Sequence, residues 1–378
     1  MQITSLTIKN YKDFQNITIS NLPKLCVFVG ANGTGKSTLF DVFGFLRDSL
    51  KNNIRQSLQR RGGFKEVITR GHEQEEIYFE IQFRIKILNK ERWFTYVLEI
   101  GLAKNRPIVT REMIRYQRGS QGSPFHFLDF KNGKGFAIKN EEDFDQTEEE
   151  LTREEQTLDA ADTLAIKGLG QFQRFKAASA FRLLIENWHV SDFHMSAARG
   201  SKDAGYAEHL STTGDNLPLV AQYIYESHQD IFAKILTKMK QRVPGVSKVE
   251  AKETEDGRLI LKFQDQSFRD PFVSRYVSDG IINMFAYLVL LHDPNPHPLL
   301  CVEEPENQLY PLLLQQLAEE FEAYTRLEGQ VFVSTHSPDF LNAVDLNNIF
   351  WLEKNEGITQ VDRASEQELL KNLYQEGD

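Results

Sequence analysis

Leu25-Cys26-Val27-Phe28-Val29 runs straight into Gly30-Ala31-Asn32-Gly33-Thr34-Gly35-Lys36-Ser37, and these residues decide the fold. Five consecutive apolar side chains mark a buried strand. The next eight residues fit the pattern G-x-x-x-x-G-K-[ST]. Leu39, Val42, Phe43, Leu46 and Leu50 then recur at helical spacing. The glycines let backbone N–H groups turn inward to ring a β-phosphate, and the start of the helix adds its partial positive charge. Lys36 would reach the β- and γ-oxygens, and the Ser37 hydroxyl would ligate Mg²⁺. Gly30, Ala31, Asn32, Gly33, Thr34, Gly35, Lys36, Ser37 and the adjoining Thr38 are thus the expected cradle for a nucleoside triphosphate with Mg²⁺.

Working outward, residues 3–29 read as short strands, with β-branched Ile17-Thr18-Ile19 and a turn at Asn21-Leu22-Pro23. From Ile77 the period changes to two: Ile77, Phe79, Ile81, Phe83, Ile85 and Ile87 alternate with polar residues, as in a long strand with one buried face. Strand-like stretches follow at 93–102, 108–116 and 125–130, and Asn132-Gly133 supplies a hairpin turn. This antiparallel region is expected to stand apart from what precedes it. Residues 141–155 are strongly acidic and read as a solvated loop and helix start. Residues 171–187 and 216–242 read as helices, without the sustained heptads of a long coiled coil. Strands at 299–302, 331–334 and 349–352 then alternate with helices at 312–324 and 338–343. The expected fold class is α/β, a doubly wound P-loop sheet with an antiparallel β subdomain and a helical insertion. The expected divisions are 1–75, 76–140 (antiparallel), 141–270 (mainly helical) and 271–378.

A chain of 378 residues has a prior of two to three domains, or one large one with insertions. Its 40% hydrophobic and 26% charged content excludes wholesale disorder. The formal charge of −10 argues against coating DNA by bulk charge, while a local basic groove stays open. Cys26 and Cys301, each inside an apolar run, read as buried thiols that fit a reducing cytosol. No signal segment is legible, and no apolar run reaches the roughly 20 residues that span a bilayer. A cytoplasmic protein without a membrane partner is expected.

Three further segments carry chemistry. Leu299-Leu300-Cys301-Val302-Glu303-Glu304 delivers two carboxylates to the C-terminal edge of a buried strand, where ligands bind in doubly wound folds. Glu303 falls where a carboxylate of the Mg²⁺ shell belongs, and Glu304 where one would polarise the attacking water. Val331-Phe332-Val333-Ser334-Thr335-His336-Ser337 sets His336 just past another strand, within reach of a γ-phosphate or that water. Tyr276-Val277-Ser278-Asp279-Gly280 opens an apolar helix, and a Ser N-cap beside Gly is a local recipe for an anion site. The pairs His189/His194 and His292/His297 read as incidental, lacking matching carboxylates.

In order along the chain, these segments resemble the ABC-class ATPases of the SMC/RecF/OLD type, in particular their stand-alone branch with S-D-G, E-E-P-E-N and T-H-S-P motifs. The likeness covers nearly the whole chain and is weakest from about 140 to 215. It extends to the opening Ile8-Lys9-Asn10-Tyr11-Lys12-Asp13-Phe14, which resembles that family's first hairpin. The resemblance makes Gly30–Ser37 the Walker A motif, Val277–Gly280 the signature and Leu299–Glu304 Walker B. Glu304 becomes the catalytic base, His336 the switch histidine, and Glu304-Pro305-Glu306-Asn307-Gln308-Leu309 the run into the D-loop. It implies a head-to-tail homodimer, with Ser278 and Gly280 completing the nucleotide site of the other copy. Two positions depart from the pattern. Glu303 replaces the usual Asp, so its contact with Mg²⁺ is expected to be indirect. Asp279 adds a negative charge near a phosphate. Gln74 and Gln82 both stay open as the Q-loop residue, Asn10 and Lys12 as neighbours of the nucleotide, and Arg199 as a residue reaching the nucleotide or partner.

Members of this class drive transporters, repair clamps, chromosome organisers and anti-phage complexes. The missing apolar span argues against a transporter subunit and the missing heptads against a long-armed organiser. Only about 40 residues follow His336, room for a strand and a last helix near Leu369, Leu370 and Leu373, so a TOPRIM nuclease domain is not expected. The expectation is therefore an ATPase subunit of a bacterial anti-phage defence complex, controlling a separately encoded effector such as a nuclease. The alternative is a RecF-like clamp with DNA as partner, using Arg55, Arg60, Arg61, Lys65 and Arg70 as a basic patch.

Overall fold

The computed structural model describes residues 1–87, 90–116, 125–138, 152–191, 193, 198–307, 309–327 and 329–366. The chain divides into two compact units, Met1–Trp188 with Phe350–Asp378, and His189–Ile349.

The first unit holds β1 (Gln2–Tyr11), β2 (Phe14–Ser20), β3 (Leu25–Val29), β4 (Ile77–Ile87), β5 (Lys90–Ala103), β6 (Arg106–Tyr116), β7 (Phe125–Lys131), β8 (Lys134–Ile138) and β9 (Arg153–Thr157). All but β3 form one sheet of eight strands in the order β2-β1-β4-β5-β6-β7-β8-β9, antiparallel throughout. The antiparallel region does not stand apart from the opening hairpin: β1 pairs with β4, Ile3 opposite Phe83 and Ile8 opposite Phe79. Alternation fixes this register, because a one-residue slip would turn the buried Ile3, Leu6 and Ile8 to the solvent face. The expected hairpin at Asn132-Gly133 joins β7 to β8, and both residues take the positive φ such a turn requires. Residues 153–157 are a strand rather than a helix start. The rest of the acidic stretch, and Leu369, Leu370 and Leu373 of an expected last helix, lie outside the described residues.

The helix Lys36–Lys51 buries Leu39, Phe40, Val42, Phe43, Leu46 and Leu50, the spacing read from sequence. Aromatic rings close this core: Tyr11 meets Phe79 at 5.2 Å, Phe43 meets Trp188 at 5.4 Å, and Phe83 meets Phe181 at 5.3 Å. After the second unit the chain returns as the hairpin β17 (Ile349–Asn355) and β18 (Ile358–Arg363), with β17 beside β3. The second hairpin strand was not legible from sequence.

The second unit contains the parallel strands β10 (His189–Ser191), β15 (Leu299–Glu303) and β16 (Gln330–Thr335). The helices Asp279–Leu291, Pro311–Leu327 and Pro338–Leu341 alternate with them, as expected of a doubly wound fold. The expected helix 216–242 is two helices, Leu217–Ser227 and Gln229–Arg242, broken at His228. Among the described residues of 141–270, strands accompany the helices. The region carries a small sheet of β11 (Lys202–Asp203), β12 (Val246–Glu253), β13 (Arg258–Asp265) and β14 (Phe272–Val273). Alternating buried Leu259, Leu261 and Phe263 behind Asp256-Gly257 were the signal. Among the described residues no helix is long and apolar enough to cross a membrane.

Candidate functional site

The residues singled out above fall into two groups, one in each unit. In the first unit, Gly33 and Gly35 have φ of 80° and 97°, which only glycine adopts without strain. Gly30 is needed for space: a Cβ there would lie 2.4 Å from the Leu352 carbonyl oxygen and 2.8 Å from Thr34 Oγ1. The Lys36 ammonium bends back to donate to the carbonyls of Gly30 and Ala31 at 2.9 and 3.1 Å. Thr34 Oγ1 donates to Ala31 O at 2.8 Å and closes the turn. Gly35 is the N-cap of the following helix and no side chain caps that end, so the first-turn amides keep their anion-binding capacity. Ala31, Asn32, Gly33 and Ser37 are exposed, and around Gly33 a Cβ would meet nothing within 4 Å. Loop, lysine and bare helix terminus together fit a triphosphate.

Residues far away in sequence hold this loop. The buried Thr359 of β18 donates to Thr34 O at 2.9 Å. Asp13 accepts from Thr38 Oγ1 at 3.3 Å and from Lys354 Nζ at 2.6 Å. Sequence reasoning missed Asp13, Lys354 and Thr359, since nothing local links them to the motif. Asn10 and Lys12 are engaged within the unit: Asn10 Nδ2 donates to Glu75 Oε2 at 2.9 Å, and Lys12 Nζ to Asp41 Oδ2 at 2.5 Å. Asp41 also takes the Arg61 guanidinium at 2.6 Å and the Tyr11 hydroxyl at 2.9 Å. Burial opposes its charge, but Arg61 and Lys12 win and hold its carboxyl below the usual range. Arg61, 12% exposed and also 3.1 Å from Asp48, is therefore a core cation rather than part of a basic patch. Arg70 pairs with Glu66 at 2.7 Å and Arg55 lies 3.8 Å from Asp162. Gln74 is exposed beyond the opening hairpin and Gln82 lies mid-β4 beside Glu80, so neither is singled out as a Q-loop residue.

In the second unit, β15 and β16 run parallel with Glu303 opposite Ser334, so the residues just beyond both strands meet at one edge. Glu304 leaves β15 with φ 42°, a left-handed conformation unusual for a side chain of this size. Its N–H donates to Ser334 O at 2.9 Å, and its Oε1 lies 3.3 Å from His336 Nε2. Glu306 holds the next turn: Oε2 accepts from Thr335 Oγ1 at 2.9 Å and Oε1 from the His336 N–H at 2.5 Å. Sequence reasoning placed Glu306 in the D-loop but missed this grip on His336. Gln308 and His194 lie outside the described residues.

Ser278 is the exposed N-cap of the helix Asp279–Leu291, and its hydroxyl makes no capping bond. The charge of Asp279 is answered by Arg199, whose Nη2 lies 2.7 Å from Asp279 Oδ1 and donates to Val277 O at 2.6 Å. Arg199 thus serves the turn that opens this helix. One turn further on, buried Asn283, the polar break in an apolar helix, donates to Asn307 O at 3.0 Å. It ties this helix to the residues that follow Glu304 and Glu306.

Residues 25–342 match the family described as "AAA domain, putative AbiEii toxin, Type IV TA system". Among solved structures, an SMC head bound to the C-winged helix domain of ScpA aligns at TM-score 0.60 and 14% identity, covering 98% of this chain and 100% of that one. An SMC head domain with an extended coiled coil, bound to the C-terminal domain of ScpA derived from Pyrococcus furiosus, aligns at TM-score 0.52 and 14% identity, covering 100% and 99%. No curated protein sequence matches the chain. The structural likeness establishes the fold: α/β, with the large antiparallel sheet of an SMC-type ATPase head.

Proposed function

Because the chain belongs to that AAA-domain family and has the SMC-head fold, we propose that it binds and hydrolyses ATP as a head-to-tail pair of identical chains. The observation that carries this reading is the pairing of Glu304 with His336 at the end of two parallel strands, in a chain that also carries an intact phosphate loop.

In this reading the N–H groups of Gly33–Ser37 and the Lys36 ammonium take the β- and γ-phosphates. Ser37, and Glu303 through water, would hold Mg²⁺, which supplies charge neutralisation on the phosphate oxygens. The Glu304 carboxylate takes the proton of the attacking water, and His336, oriented by Glu306, hydrogen-bonds the γ-phosphate or that water. Ser278 and Gly280 serve the nucleotide of the other copy. Support comes from the exposed, uncapped Ser278 and from exposed Phe268, Phe272 and Tyr276 just before it. We further propose that the pair governs a separately encoded effector, such as a nuclease, in anti-phage defence. The family's description as a toxin of a toxin–antitoxin system and the ScpA-bound SMC heads favour a protein partner. The DNA-clamp alternative loses Arg61 from its basic patch to the Asp41 and Asp48 pairs, while Arg55, Arg60, Lys65 and Arg70 stay exposed. Cys26 and Cys301, buried as thiols, support a cytoplasmic setting.

Light scattering with ATP tests the pairing. Glu304→Gln should retain ATP and accumulate as a dimer, and Ser278→Arg should stay monomeric with turnover lost. A Ser278→Arg protein that dimerises and turns over normally would refute the head-to-tail arrangement.

A further inference from the structure

His297, read from sequence as incidental beside His292, has other partners. His292 turns its Nδ1 to Leu288 O at 2.9 Å and closes the end of the signature helix. His297 instead joins His209 and Asp293, and the ligand-type atoms of the three lie within 4.8 Å of one another. Asp293 Oδ2 is the centre, 2.8 Å from His209 Nδ1 and 3.9 Å from His297 Nε2. The buried His189 ring lies 4.9 Å from that of His297, tilted by 36°.

The geometry points to a site for one borderline-soft divalent cation, Zn²⁺ by its chemistry, held by His209, Asp293 and His297. Metal–ligand bonds of about 2.0–2.1 Å in a tetrahedral shell put donor atoms about 3.3 Å apart. The two spacings to Asp293 Oδ2 straddle that value, and the two imidazoles, within 4.8 Å of one another, need to close by at most about 1.5 Å. Two imidazoles and a carboxylate select zinc over Mg²⁺ or Ca²⁺, which prefer oxygen shells. Charge argues the same way, since the Asp293 side chain is only 2% exposed and a buried carboxylate needs a cation or strong donors. Its Oδ1 accepts the Asn295 N–H at 2.8 Å, which aims Oδ2 at the two rings.

The surroundings are stiff enough for a site. His297 sits in Asp293-Pro294-Asn295-Pro296-His297-Pro298, where three prolines fix the backbone. Tyr324 OH donates to His297 O at 2.6 Å. On the other side Asn216 clamps the histidine's segment, donating to His209 O at 2.9 Å and accepting from the Ser211 N–H at 2.8 Å. His209 is more open than the other two ligands and leaves a fourth position for water. The segment carrying His209 also carries Arg199, which holds Val277 and Asp279 at the opposite end of the same helix. A bound cation would fasten that segment at both ends of the signature helix.

The test is metal titration of the full chain without nucleotide. Co²⁺ serves as the spectroscopic probe, and Zn²⁺ is counted by elemental analysis after dialysis. We expect one ion per chain, a cobalt d–d band, and a melting temperature that falls with chelator and returns with Zn²⁺. Asp293→Asn and the milder His209→Gln should each weaken binding at least tenfold, whereas Ser37→Ala should leave it unchanged. That last variant separates this site from the proposed Mg²⁺–ATP site, whose failure would not touch the result. No stoichiometric ion in the wild-type chain, or binding undiminished in His209→Gln, overturns the assignment.

Discussion

Glu304 combines a strained backbone with the proposed chemistry, so Glu304→Gly should separate stability from activity. At φ 42° an L-residue stands about 1–2 kcal/mol above a right-handed or extended conformation. Glycine removes that cost but makes the unfolded chain freer, which takes back about 0.4–1 kcal/mol. The lost carboxylate also ends the contact with His336, a pair whose side chains are 34% (His336) and 39% (Glu304) exposed. Such a half-exposed pair is worth about 0–1 kcal/mol. The sum is close to zero or slightly stabilising. Glu304→Gln keeps the backbone strain and should also fold normally. Removing a general base lowers turnover about 10²–10⁴-fold in either variant. Urea denaturation followed by tryptophan fluorescence gives the stability, and phosphate release the activity. A loss above about 2 kcal/mol in Glu304→Gly would show that the left-handed turn is not a stored cost. More than a tenth of wild-type turnover in either variant would remove Glu304 as the base.

Three other outcomes follow from the geometry. Gly30→Ala forces a methyl against Leu352 O and Thr34 Oγ1 and should cost about 1–3 kcal/mol, with ATP affinity falling in equilibrium dialysis. Arg199→Ala should weaken ATP-driven dimerisation by leaving Asp279 unanswered, and Asp279→Asn should restore it. For this partly exposed pair the double-mutant coupling in stability should not exceed about 1 kcal/mol. Glu112 should make stability pH-dependent: burial lifts its carboxyl from 4.5 to about 7, against the pull of the Ala165 and Ile166 N–H groups and the Tyr96 hydroxyl. A raised folded-state value means the contribution is complete below about pH 4.5 and is lost as pH rises through 7, on the order of 3 kcal/mol in all. Urea midpoints at pH 5 and pH 8 should differ accordingly, and Glu112→Gln should flatten the difference.

The amino-acid sequence by itself determined whatever is encoded within one turn or one strand. Gly33 and Gly35 announce positive φ, and the alternation from Ile77 to Ile87 announces a one-faced strand. Four apolar residues before Glu303 announce a buried strand with acids at its end. These rest on local sterics and side-chain period, which neighbouring residues suffice to set. Tertiary structure decided the rest: β1 joined to β4, Thr359 on the phosphate loop, Arg61 drawn into the core by Asp41, Glu306 gripping His336, and Arg199 neutralising Asp279. Each joins residues from 20 to more than 300 positions apart, and which such groups meet depends on the register and packing of whole elements, for which no local pattern substitutes.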